Sequence, residues 1–113
     1  MGFRLTEIAV EIFAAGDGVN YPRQGQTVTV HYSGYLPNGE IFDSSRDRGK
    51  PFKFKLGGEQ VIPGLDAGVS QLSIGERAKI SIPSDMAYGE RGFPGLIPRN
   101  SALVFDLELI TFS

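Results

Sequence analysis

The chain has 113 residues, 41% of them apolar, with no cysteine, one histidine, a formal net charge of −2 and a sequence pI of about 5.3. That length accommodates one core and one domain, residues 1–113, and leaves no room for a second. Lack of cysteine excludes disulfides and thiolate nucleophiles and makes a metal site unexpected, which suits the cytoplasm, with the nucleus as the alternative, and the acidic balance excludes a chain-wide attraction for nucleic acid or anionic membrane.

The first residues, MGFRLT, fit a loose myristoylation pattern at Gly2 and Thr6, but bulky Phe3 beside the acceptor glycine marks a chance match. Acids follow in TEIAVEIF where a signal peptide would be apolar, and no stretch approaches the ~20 apolar residues of a membrane span. IAVEI at 8–12 predicts a strand, and GDG at 16–18 a turn with φ > 0. TVTVHY at 27–32 alternates, which directs Val28, Val30 and Tyr32 to the core and Thr27, Thr29 and His31 to solvent.

YLPNGEIF at 35–42 predicts a hairpin, with Asn38 and Gly39 supplying the φ > 0 positions. Arg46, Arg48, Lys50, Lys53 and Lys55 form the one basic cluster, within RDRGKPFKFK, and are expected to be a solvated face rather than a nucleic-acid site. FKFKL at 52–56 sends Phe52, Phe54 and Leu56 inward. After Pro63, well suited to a first helical position, Leu65, Val69 and Leu72 recur at helical spacing, and the run ends before Gly75. This is the only helix predicted.

RAKISI at 77–82 and LVFDLEL at 103–109 complete the alternating strands, with Ala78, Ile80 and Ile82, and Leu103, Phe105, Leu107 and Leu109, facing in. Between them, AYGERGFPGLIP at 87–98 contains three glycines and two prolines, which rule out a regular element, yet it carries Tyr88, Phe93, Leu96 and Ile97. A small sheet cannot cover Tyr88 and Phe93 amid these glycines, so a lined apolar cleft stands as the alternative to a packed core here. The fold class is α+β: a five- to six-stranded twisted antiparallel sheet wrapped around one short amphipathic helix.

Little in the sequence carries covalent chemistry. The lone histidine is on the predicted outer face, and no nucleotide loop, HExxH or EF-hand pattern is present. Asp43, in FDSSRDR, reads from the residues as a turn carboxylate or a surface partner of Arg46 or Arg48; a place on the cleft wall beside Phe42 is raised only by the resemblance given next.

The motifs VHYSG, FDSS, PFKFKLG, QVIPG, AYGERGFPGLIP and LVFDLEL occur together over about residues 11–112. In this combination the chain resembles the FKBP-type peptidyl-prolyl cis-trans isomerases, small immunophilins. The resemblance implies a non-covalent isomerase of X-Pro bonds that needs no cofactor, whose reaction involves Tyr32, Asp43, Ile62, Tyr88 and Phe105, with Asp43 held by Arg48 and the Tyr32 hydroxyl. It implies that Phe42, Arg48, Phe52, Gln60, Val61, Leu65, Phe93 and Ile97 bind substrate or drug. Implied partners are proline-containing peptides and proteins and the macrolides tacrolimus and rapamycin, which receive hydrogen bonds from the Ile62 backbone and the Tyr88 hydroxyl. Calcineurin or the TOR kinase would join only through a drug, and the chain itself is expected to be monomeric.

One position departs from the family pattern: Leu65 in VIPGL stands where the commonest sequences carry tryptophan. A leucine floor implies a deeper pocket that stacks less well on a pyrrolidine or pipecolyl ring. It also motivates an alternative to the enzyme, a proline- or drug-binding adaptor with weak turnover. Pro63 removes its own N–H and leaves that of Ile62 available.

Overall fold

A computed structural model of the protein describes residues 7–113, so the Gly2 and Thr6 match lies outside the described residues. Six strands, β1 (Ala9–Ala14), β2 (Thr27–Tyr35), β3 (Ile41–Ser44), β4 (Phe52–Lys55), β5 (Arg77–Ile82) and β6 (Leu103–Phe112), form one antiparallel sheet. Their order is β1-β5-β6-β2-β3, and β4 also pairs with β2. Thus β3 and β4 divide one side of the long strand β2: Ser33 pairs with Ser44, and Val30 with Phe52.

Alternation sorts the side chains as expected where one sheet face is covered. Val28, Val30, Tyr32, Ala78, Ile80, Ile82, Leu103, Phe105, Leu107 and Leu109 are all buried, as are Phe54 and Leu56. Helix α2 (Pro63–Val69) lies against this face and buries Gly64, Leu65, Gly68 and Val69. It stops earlier than the spacing predicted, at the Ser70 cap, and Leu72 is buried in the turn beyond. The close approach of α2 to β5 depends on two glycines one turn apart. A Cβ on Gly64 would fall 2.3 Å from Ile82 Cγ2, and one on Gly68 2.9 Å from Ile80 Cγ2.

A second, one-turn helix, α1 (Ser45–Arg48), follows β3 directly. Ser44 caps it by accepting from the Asp47 N–H, and Gly49 closes it at φ 68°. Four residues are too few to show a helical period, so only the Ser44-x-x-Asp47 spacing and Gly49 signal it in the sequence. Its presence corrects the expectation for His31, which is half-buried instead of facing solvent, its Nδ1 lying 2.9 Å from Ser45 Oγ.

Two turns also differ in detail. In the β2–β3 hairpin only Gly39 takes positive φ, while the Asn38 side chain accepts from the Glu40 N–H. In GDG only Gly18 does so; Gly16 is required for space, since a Cβ there would meet the Ile74 carbonyl at 2.5 Å. No helix among the described residues is long and apolar enough to cross a membrane.

Candidate active site

Between α2 and the sheet lies a hollow of about 160 Å³, lined by Tyr32, Phe42, Asp43, Phe52, Gln60, Val61, Ile62, Leu65, Tyr88 and Phe105. Four of its rings brace one another. Tyr32 meets Phe52 edge-on at 5.8 Å and Phe105 at 5.9 Å, and Phe42 meets Phe105 edge-on at 5.6 Å. Such tilted contacts suit the ring quadrupoles and hold each ring in place. Neighbouring strands produce the arrangement: Gly34 of β2 is paired with both Asp43 of β3 and Phe105 of β6.

Among the described residues Asp43 is the one charged group on this wall, and it is fully engaged. The Tyr32 hydroxyl donates to its Oδ2, the Arg48 guanidinium donates to its Oδ1, and Arg48 Nη2 also reaches the Tyr32 oxygen at 3.2 Å. Burial works against ionisation of Asp43, but the bonds from Tyr32 and Arg48 prevail and hold its carboxyl below the usual range. Tyr32 is shifted the other way, by burial and then by its bond to Asp43, so its hydroxyl remains a donor at neutral pH. Asp43 is therefore an anchored anion, not a proton shuttle. Arg46, the other candidate partner for Asp43, instead reaches Ser33 and the Asp106 carbonyl.

The lip of the hollow comes from residues 57–62. Gln60 Oε1 accepts from the Lys55 N–H at 2.9 Å, and both carboxylate oxygens of Asp66 accept from the Gly57 N–H at 3.0 Å. Sequence reasoning missed Asp66; its only signal was an acid in the first turn of a helix that follows a Gly-Gly pair. These ties deliver Ile62 to the start of α2. Its backbone N–H makes no hydrogen bond among the described residues, whereas its carbonyl accepts from Leu65 and Asp66.

The opposite rim is the 87–98 loop. Phe93 and Ile97 form an isolated antiparallel bridge closed by two 2.8 Å hydrogen bonds, with Gly89, Gly92 and Gly95 all at positive φ. Tyr88 lines the hollow and packs edge-on against Phe93 at 5.8 Å. Burial, and then the charge of Asp43, push the Tyr88 phenol above its usual range.

Three of the thirteen residues singled out from the sequence do not line the hollow. Arg48 acts on it through Asp43 and Tyr32. Phe93 is 50% exposed and meets the hollow only through Tyr88, while Ile97 is 5% exposed, part of the core. Within this loop, then, the apolar side chains divide: Ile97 packs inward, and Tyr88, Phe93 and Leu96 remain open to solvent.

Comparison with known proteins agrees with this geometry. The family model for the FKBP-type peptidyl-prolyl cis-trans isomerases matches residues 18–110. FK506-binding protein 1 of Debaryomyces hansenii is 59% identical over 101 residues, which are 89% of this chain and 90% of that protein. Peptidyl-prolyl cis-trans isomerase Fkbp12 of Drosophila melanogaster is 58% identical over 103 residues, 91% of this chain and 95% of that protein. FK506-binding protein 1 of Saccharomyces cerevisiae is 53% identical over 103 residues, covering 91% and 90%. A braced aromatic hollow on a six-stranded sheet, joined to a family match across most of the chain, leaves one assignment: the chain belongs to the FKBP-type peptidyl-prolyl cis-trans isomerase family.

Proposed function

We propose that residues 1–113 act as one isomerase domain that rotates X-Pro bonds in this hollow, without covalent chemistry or a cofactor. The observation that carries this reading is the convergence of Tyr32, Phe42, Phe52, Ile62, Leu65, Tyr88 and Phe105 on one cavity about the size of a prolyl ring and its flanking atoms. Rotation about the prolyl bond destroys amide resonance, the source of a barrier near ~18–20 kcal/mol. The planar amide carries negative charge on oxygen and a large dipole; the twisted amide loses that separation and gains a nitrogen lone pair. An apolar, water-poor wall therefore disfavours the planar form more than the twisted one. Each ~1.4 kcal/mol of that difference is about tenfold in rate.

Two donors orient the chain across the hollow: the Ile62 N–H and the Tyr88 hydroxyl, neither engaged with another described residue. Asp43, fixed by Tyr32 and Arg48, supplies a constant negative field at one wall and polarises the bound amide. The same donors and rings suit tacrolimus and rapamycin, and two of the relatives carry FK506-binding in their names. Calcineurin or the TOR kinase is expected only as a drug-dependent partner, at the rim bearing Glu90, Arg91 and Phe93, with the protein itself monomeric and cytoplasmic. The adaptor alternative is not favoured: the Drosophila relative, 58% identical, is named for isomerisation.

A protease-coupled or exchange-spectroscopy assay on an Ala-Leu-Pro peptide tests the reading. Catalysed exchange, suppressed by tacrolimus, is expected. An exchange rate equal to the uncatalysed one, with tacrolimus still bound, returns the chain to the adaptor class.

A further inference from the structure

Next to the apolar hollow lies a second, wider depression of about 720 Å³, lined by Arg48, Lys50, Pro51, Phe52 and Lys53. The two share Phe52, and Arg48 is bonded to Asp43 and Tyr32 of the hollow. A peptide whose proline occupies the hollow and whose chain leaves it over the Phe52 ring would meet this depression. At ~3.3 Å per residue of extended chain, three residues on either side of the proline reach about 10 Å from it.

The charges there are not balanced. Arg48 is committed to Asp43, but neither Lys50 nor Lys53 has a carboxylate within 4 Å among the described residues. Both are exposed, and Lys55 stands two residues along the same outward side of β4. Residues 46–55 hold five cations and the single acid Asp47, in a chain whose net charge is −2. The field is thus local, aimed at whatever occupies the cleft, and too small for a nucleic-acid footprint.

On the isomerase reading, we propose that this depression selects substrates: it receives an anionic side chain within three residues of the proline, so that acidic or phosphorylated prolyl segments are turned over in preference to neutral or basic ones. Lys50 and Lys53 are the specificity-determining residues. Neither lines the apolar hollow, so they change capture of the peptide and not the rotation step.

The test is a set of Leu-Pro peptides carrying Gln, Glu, phosphoserine or Lys at each of the two positions before the dipeptide and the three after it, with kcat/KM measured by exchange spectroscopy. At one position at least, Glu is expected to exceed Gln by roughly three- to tenfold at low salt and Lys to fall below it, through KM, with the spread closing to about twofold near 0.5 M salt. The double variant Lys50→Glu, Lys53→Glu is expected to reverse the order while leaving the Gln peptide within about twofold of wild type. Phosphoserine above Glu at that position assigns the anion to a phosphate, and equality assigns it to a carboxylate; both support the proposal. It is overturned by no discrimination at any position, by discrimination that survives both salt and the double variant, or by a single-stranded oligonucleotide that binds more tightly than the Glu peptide. Failure to turn over even the Gln peptide defeats the isomerase reading instead. In that event amide-shift titration decides: tighter Glu-peptide binding with shifts at Lys50 and Lys53 retains the charge selection, and equal affinities end it.

Discussion

Gly34 lies directly beneath Phe42: a Cβ on Gly34 would sit 2.6 Å from Phe42 Cζ and 3.0 Å from Phe105 Cε1. The absence of a side chain near the end of β2 is therefore what lets two rings of the hollow, set edge-on to each other, approach the strand backbone so closely. Gly34→Ala forces both rings aside. Overpacking of this kind costs about 1–3 kcal/mol of stability, and kcat/KM for an Ala-Leu-Pro peptide is expected to fall further than the unfolding midpoint alone explains. Urea unfolding and exchange kinetics on the same sample check both, and an unchanged rate would mean that the rings can shift without consequence for the cleft.

Gly64→Ala is expected to act on stability through a different contact. Its methyl would enter the space of Ile82 Cγ2, 2.3 Å away, and lift the start of α2 off β5. The expected loss is about 1–3 kcal/mol, offset by only the ~1 kcal/mol gained in helix propensity. Because Ile62 precedes this turn, tacrolimus affinity should fall as well. Thermal unfolding with and without the drug measures the two effects, and a stabilised variant would contradict the contact.

Tyr88→Phe removes one donor and keeps the ring. Ligand binding should weaken by about 1 kcal/mol, near fivefold, the net value of one hydrogen bond. Calorimetry with tacrolimus gives the number, and an unchanged affinity would remove this hydroxyl from the site.

Leu65→Trp enlarges the floor of the hollow. A ring face at this position is expected to tighten macrolide binding and raise turnover by improved stacking on the prolyl ring. Loss of affinity would show instead that the surrounding rings have settled around leucine.

The Arg48–Asp43–Tyr32 group makes a prediction about pH. Asp43 has a lowered folded pKa, so its stabilising contribution is complete above its unfolded value near ~3.9 and is lost as pH falls through the folded value. Arg48→Gln returns Asp43 toward its ordinary range. The stability gap between wild type and this variant should accordingly be widest at neutral pH and close as the pH falls below the ordinary carboxylate range. Denaturant unfolding across that range tests the sign, and a gap that widens in acid would contradict it.

Much of the site was legible because its residues sit at the inward positions of alternating strands or amid loop glycines. Tyr32, Phe52 and Phe105 follow from period-two patterning alone, since a strand with one covered face allows its apolar side chains only one direction. Tyr88 was marked by an aromatic ring that a small sheet could not bury. Ile97 looked equivalent in sequence and is not: its bridge to Phe93 turns it into the core.

Local chemistry in the chain thus determined the strands, the hairpin at Gly39, the helix start at Pro63 and the inward set of core residues, because backbone geometry and one-sided burial act over a few residues. Only the tertiary structure decided that β3 and β4 share one side of β2, that Arg48 and not Arg46 holds Asp43, that Asp66 ties the lip to the helix, and that Gly34, Gly64 and Gly68 are empty by necessity. Those are contacts between segments distant along the chain or around a turn too short to show a period, and their energies depend on distances of a few ångströms that no linear pattern records.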